Sequence, residues 1–207
     1  MIWHLLALVG IVLLMAIAGC WRSWLQYQRY GTWGLSLFPA GNRAQSARDC
    51  LGIALFILLM GQAIIATGWP LAVSPPVISS QGPIAKMAPL MGATLLFGGL
   101  ALLVAAQLNL GRSWRIGIEA GAKPGLVTDG LYRFSRNPIF LALLITIAGY
   151  ALLLPTRLSV ALLVGAYIGI RQQIGAEEAH LALTYGEPYR RYTRRVGRFL
   201  PGIGKLR

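Results

Sequence analysis

Negative charge is almost missing from this 207-residue chain, which carries 6 Asp and Glu against 19 Lys and Arg. Charged residues of either sign make up only 12% of it, where soluble domains hold roughly 25%. With an apolar fraction of 56%, that shortage argues against an ordinary soluble domain and for an integral membrane protein. Cysteine is scarce as well. Cys20 and Cys50 stand at the ends of apolar runs and form neither a disulfide framework nor a metal-ligand pattern. No internal repeat and no low-complexity tract appears. Lys and Arg are also absent ahead of the "IAGC" at 17–20. A secretory leader wants positive charge there, so this box does not read as a lipoprotein cleavage site.

What is present is long apolar sequence. Five runs stand out, at 2–19, 51–73, 87–110, 138–155 and 158–174. A spanning helix needs roughly 20 apolar residues. The first three meet that length. The last two are shorter, are separated only by Thr156 and Arg157, and predict a tight helical hairpin. The fold expected is therefore all-α, a polytopic membrane protein with five transmembrane helices and a cytosolic C-terminal cap.

The net charge of +13 raises nucleic acid as a partner. No basic helix or strand interleaved with exposed aromatics supports it. The charges sit beside apolar runs, where arginines keep loops cytoplasmic and touch anionic headgroups. Of the 19 Lys and Arg, 17 fall on one side of the five-span arrangement, and only Lys86 and Arg157 on the other. All six acidic residues share the majority side. Five spans then place the N-terminus outside and the C-terminus in the cytosol, with the bacterial inner membrane as the expected location. Between the first two runs, Trp21, Trp24, Tyr27, Tyr30 and Trp33 lie among arginines. This stretch reads as an interfacial anchor, with substrate contact the other reading. The segment 74–83 reads as an external loop.

Chemistry concentrates near the cytosolic ends of the last two runs. Arg136 lies 21 residues before Arg157, and Glu178 21 residues after it. In antiparallel helices both then sit roughly 31 Å from the turn, at the edge of a ~30 Å hydrocarbon core. "RNP" and "EE" are thus predicted to face each other. Asn137 suits an N-cap and Pro138 the first helical turn, and the free N–H groups there favour an anion. Glu177 and Glu178 bring negative charge opposite, a combination that suits a zwitterionic ligand. The same residues also fit a plain cap, a snorkelling arginine and a solvated helix end. Further on, "YGEPYRRYTRRVGRFLP" sets Tyr189 and Tyr192 among arginines, either closing over a ligand or resting on anionic lipid. Gly186 is expected to end the last long helix.

"LVTDGLYRFSRNPIF" and "GAEEAHLALTYGEPYRRYTRRVGRFLP" together resemble the isoprenylcysteine carboxyl methyltransferase family, whose relatives include phospholipid N-methyltransferases and small-thiol methyltransferases. The pattern falls on Leu126, Val127, Thr128, Gly130, Tyr132, Arg136 and Pro138, then on Glu177, Glu178, Leu181, Gly186, Tyr189, Tyr192, Arg195, Val196 and Pro201. Two positions depart from it: Asn137 stands where the family usually has His, and Phe140 where it has Tyr. Asn137 cannot titrate near neutral pH, and Phe140 lacks a hydroxyl.

The resemblance implies an S-adenosylmethionine-dependent methyltransferase, with the cofactor at the cytosolic mouth of the last hairpin under a lid made by the tail. It implies cofactor contacts at Leu126, Val127, Thr128, Gly130, Tyr132, Asn137, Pro138, Phe140, Glu178, Tyr189 and Tyr192, and no metal. The acceptor implied is lipidic or membrane-partitioning, an isoprenylcysteine-like carboxylate being most similar. For an anionic acceptor, Arg136 and Arg195 are the expected charge holders. For an amine, Glu177 or Glu178 is the expected base. Residues 1–110 then form an N-terminal spanning region with the interfacial segment 21–49. Residues 111–207 form the catalytic region, with a hairpin at 138–185. A sterol-reductase-like enzyme using a nicotinamide cofactor and a non-catalytic membrane partner are the alternatives from other classes.

Overall fold

The computed structural model describes residues 2–39, 41–69, 83–117 and 125–205. Residues 74–82 of the external loop expected at 74–83, and with them Lys123 and Arg207, lie outside the described residues, and Pro83 opens a helix. The chain is helical, and among the described residues the only strand-like pairings are two isolated bridges. Helix α1 spans Ile2–Met15, α2 Arg22–Tyr30, α3 Arg43–Gly68, α4 Pro83–Leu110, α5 Pro138–Leu153, α6 Arg157–Tyr185 and α7 Glu187–Arg195.

Each boundary follows from local chemistry. Asn42 caps α3, its side chain accepting from the Gln45 N–H at 3.0 Å. Thr156 caps α6 in the same way through the Ser159 N–H, so that Arg157 opens the helix. Gly186, with φ of 57°, ends it, as the sequence predicts. The first helix runs further than expected. A π-helical turn at Ala16–Trp21 carries α1 into α2 without a break, so the aromatic and basic residues after 20 extend this helix and do not start a separate segment.

Among the described residues, four helices are long and apolar enough to cross a membrane: Ile2–Tyr30, Arg43–Gly68, Lys86–Ser113 and Arg157–Tyr185. Helix α5 is apolar too, but its 16 residues reach only about 24 Å at 1.5 Å per residue. It is linked to α6 by residues 154–156, yet its most extensive packing is against α4. Small residues explain this. A Cβ at Gly92 would lie 2.9 Å from the Gly149 carbonyl, one at Gly99 would lie 2.7 Å from the Thr146 nitrogen, and one at Gly149 would strike the Leu96 backbone. Bare backbone on both helices permits this approach, the usual basis of close helix pairing in lipid.

The core joins all five long elements: Ile11 of α1, Leu59 and Ala63 of α3, Leu96 and Leu103 of α4, Tyr150 of α5, and Leu162 of α6. A second, smaller cluster of Tyr189, Tyr192 and Val196 packs on Leu126, Leu181 and Tyr185. It lies at the end of the bundle where α5 begins and α6 ends.

Candidate functional site

Arg136 and Glu178 organise that end. Both are almost fully buried, with side chains 1% and 8% exposed. Arg136 Nε and Nη2 donate to Glu178 Oε1 at 3.1 and 2.9 Å. Its remaining N–H groups go to the carbonyls of Thr193, Val196 and Gly204 at 2.8–3.1 Å. A guanidinium has five N–H donors, and all five are used. Glu178 is held from its other side by Arg198, whose Nη2 reaches Oε2 at 2.5 Å. A buried ion pair of this kind is costly to desolvate and strongly destabilising when one partner is lost. The Arg136 N–H also meets the Gly197 carbonyl, so the tail lies alongside residues 135–137.

Asn137 stands at the N-cap position of α5, but its side chain makes no cap bond. Its Nδ2 turns instead to the Arg198 carbonyl at 3.2 Å and, more weakly, to Glu178 Oε1 at 3.4 Å. The capping expectation is corrected here: the amide is turned so that its Nδ2 donates to a buried carboxylate and a tail carbonyl, and its oxygen makes no bond to the N–H groups of the first turn. The predicted meeting of "RNP" and "EE" is observed, at the level of Arg136, Asn137 and Glu178.

Beside this knot lies a partly enclosed cavity of about 200 Å³. Helix α5 contributes Ile139 and Phe140 to it, and α6 contributes Glu177, His180, Leu181 and Tyr185. The tail adds Tyr189 and Tyr192, whose ring centroids are 6.2 Å apart. Tyr192 donates its hydroxyl to the Tyr132 carbonyl at 2.6 Å, tying α7 to the turn at Gly130–Arg133. Burial raises the phenol pKa of Tyr132, Tyr189 and Tyr192, so these groups stay neutral near physiological pH. The Gly125 N–H bonds the Tyr185 hydroxyl at 3.0 Å, which brings Leu126 and Val127 to the wall.

The remaining wall, residues 110–117, is held by the first helix. Arg22, 1% exposed, donates Nη2 to the Gly111 carbonyl at 2.6 Å and Nη1 to Gln26 Oε1 at 2.9 Å. Its guanidinium sits 4.7 Å from the Trp114 ring centroid, a cation–π geometry. Gln26 in turn donates to the Arg112 carbonyl at 3.1 Å. Residues 34–36 pair with Ile116 through two backbone bonds of 2.8 Å. Arg22, expected as a loop charge, is a buried clamp, because the carbonyls at the end of α4 lie where the α-helical ladder stops and accept its N–H groups.

Of the residues expected at the site, Leu126, Val127, Tyr132, Arg136 and Asn137 line the cavity, as do Phe140, Glu177, Tyr189 and Tyr192. Thr128, Gly130, Pro138, Glu178 and Arg195 do not. Glu178 sits behind the wall in the ion-pair knot. Pro138 is buried at the start of α5. Gly130 has φ of 58° and packs on the Asn109 amide, whose Oδ1 accepts from the Leu131 N–H. Arg195 is exposed at the end of α7. The arginine that reaches the carboxylate is Arg198, three residues on. Sequence reasoning passed over Ser113, Arg115, His180 and Tyr185, which also line the cavity. His180 carried a signal, standing one helical turn after Glu177. Arg115 carried none beyond its charge.

Among the described residues the cavity is lined by one carboxylate, Glu177, by aromatic and apolar walls, and by Arg115, His180 and the fully engaged Arg136. It suits in kind a polar ligand with a positive centre, since carboxylates and ring faces both attract cations. Among the described residues no group of three or more His, Cys, Asp or Glu side chains is placed to hold a metal.

Residues 87–188 match the family model described as Phospholipid methyltransferase, a family of integral membrane methyltransferases. The match runs from α4 to the start of α7, about half of the chain. No curated protein matches the chain.

Proposed function

We propose, starting from residues 87–188 as phospholipid methyltransferase sequence, that this chain is a membrane methyltransferase. It uses S-adenosylmethionine and methylates an amine on a membrane lipid headgroup. The observation that carries this reading is how the charges are distributed. Arg136 has no free donor left for an acceptor, and Arg195 is exposed away from the cavity. Glu177 lines the cavity, and Glu178 beside it is neutralised by two arginines. An amine acceptor needs an anion to take its proton, which Glu177 supplies, whereas a carboxylate acceptor would meet Glu177 as a like charge. Arg115, also on the wall, suits the phosphate next to the amine in a phospholipid.

The cofactor supplies a methyl group already activated on a sulfonium. Leu126, Val127, Tyr132 and Phe140, with Tyr189 and Tyr192, are the residues that would hold it, under the tail. Glu177 takes the proton from the acceptor ammonium. The amine freed of that proton is the nucleophile that would take the methyl group the bound cofactor would supply. The chain otherwise aligns donor and acceptor and excludes water. Arg136, Asn137 and Glu178 fix the tail that closes the site. Helix α5 serves as a fifth, short span in this reading. The charge distribution supports an external N-terminus and a cytosolic site, so the polar cofactor and the lipid each arrive from their own phase.

The test is cofactor binding followed by product identification. Calorimetry on detergent-solubilised protein is expected to show heat with S-adenosylhomocysteine and none with a nicotinamide nucleotide. The reverse result would turn the assignment to a reductase. Membranes incubated with methyl-labelled cofactor are expected to place label in a base-stable amine lipid. Label released as methanol by mild base would instead identify a carboxylate acceptor of the isoprenylcysteine type. Glu177→Gln is expected to lower kcat by roughly 10²- to 10⁴-fold, the range of a general base, with S-adenosylhomocysteine still binding.

A further inference from the structure

Glu177 is held from behind by a residue outside the family-matched segment. Arg48 on α3 donates Nε to Gln173 Oε1 at 2.9 Å. Gln173 then donates Nε2 to Glu177 Oε1 at 2.8 Å. Gln173 and Glu177 are one turn apart on α6, a spacing that places them side by side. Arg48 comes from 125 residues away in sequence, across the packing of α3 on α6.

The polarity of this relay is forced. A guanidinium only donates, so the oxygen end of the Gln173 amide must face Arg48. The nitrogen end must then face Glu177, and an ionised carboxylate only accepts. An amide alone can be turned either way, but between these two groups it has one satisfied orientation. The other charged or titratable groups around Glu177 have separate engagements or positions. Glu178 is paired with Arg136 and Arg198, His180 lies one turn further along α6, and Arg115 is on the wall formed by residues 110–117.

We propose that Arg48 is a positioning residue for catalysis. Through Gln173 it fixes the Glu177 carboxylate against the cavity. The N-terminal part of the chain thereby helps build the reaction centre as well as anchoring it. This inference rests on Glu177 being the proton acceptor.

A double-mutant cycle tests it, with phosphatidylethanolamine in detergent micelles as acceptor and full-length protein throughout. Arg48→Met is expected to lower kcat on the order of 10- to 100-fold, as misplacing a catalytic group does. Affinity for S-adenosylhomocysteine should stay within about twofold, the spread of a neutral surface change. In a Glu177→Gln background, Arg48→Met should cost nothing further. Arg48→Lys should recover most of the loss, because one N–H donor suffices to orient the amide. Equal losses from Arg48→Met in both backgrounds, or a loss that tracks thermal unfolding, would overturn the proposal and leave Arg48 a structural tie. An unchanged kcat in Arg48→Met would also overturn it. An unchanged kcat in Glu177→Gln would remove the proton acceptor itself. That failure is distinct, because a failed relay leaves Glu177→Gln crippled.

Discussion

Arg136 and Glu178, 42 residues apart, are joined by two hydrogen bonds to a single carboxylate oxygen, 3.1 Å from Nε and 2.9 Å from Nη2. The pair closes the end of the bundle, and through the other three donors of Arg136 it also fastens the tail.

Glu178→Ala removes the one anion facing two arginines. Leaving a buried charge without its partner costs roughly 3–5 kcal/mol. Chemical unfolding in detergent is expected to show that loss. S-adenosylhomocysteine affinity should fall with it, because the tail carrying Tyr189 and Tyr192 loses its tie. A variant as stable as the parent would mean that the knot does not hold the tail.

Arg195 and Arg198 are expected to part company. Arg195→Ala changes an exposed side chain and should stay within about 0.5 kcal/mol in stability, with little change in turnover. Arg198→Ala breaks a part-buried ion pair and should weaken cofactor binding. Side-by-side binding and methyl-transfer assays check this, and a larger effect at Arg195 would reverse the assignment.

Arg22→Met strips the guanidinium donors from the Gln107 carbonyl and from Gln26 Oε1 and leaves the Gly111 carbonyl only the Trp114 N–H. Each buried acceptor left unpaired costs about 1–3 kcal/mol. The wall that carries Ser113 and Arg115 should loosen, and the expected signature is faster hydrogen exchange at 111–117 together with a raised KM for the lipid acceptor. Parental exchange in that segment would show that the first helix does not hold it.

Gly149→Leu places a side chain where the Leu96 backbone already lies. Overpacking costs about 1–3 kcal/mol, and here the obstacle is main chain, which yields least. Thermal unfolding should drop sharply. Gly165→Leu, where an added Cβ meets nothing within 4 Å, is the matched control and should be near neutral.

Much of the candidate site was legible because its chemistry is local. "SRNPIF" and "GAEEAH" each crowd polar groups beside an apolar run, and a count of helical rise brought them to one depth. Asn137 was misjudged in one respect. Its cap propensity is a local preference, and a buried carboxylate 41 residues away outcompeted it. Spacing does not tell Arg195 and Arg198 apart, since one ends α7 and the other follows it by three residues. The backbone turn after Val196 decides which one points at Glu178.

By itself the sequence determined the class of the protein. An apolar fraction of 56%, gathered in long runs, admits spanning helices and little else, because lipid leaves no other way to satisfy the backbone. Capping chemistry also set the limits of α3 and α6. Only the tertiary structure decided that α5 packs mainly on α4, that the first helix continues to Tyr30, and that Arg22 and Arg48, outside the matched segment, bond to Gly111 and Gln173. The physical reason is the range of the interactions. Hydropathy and caps act within a few residues and leave their mark in sequence. A guanidinium's choice of partner is made across 42 to 125 residues, by whichever carbonyl or carboxylate the packing of the helices brings within hydrogen-bond reach.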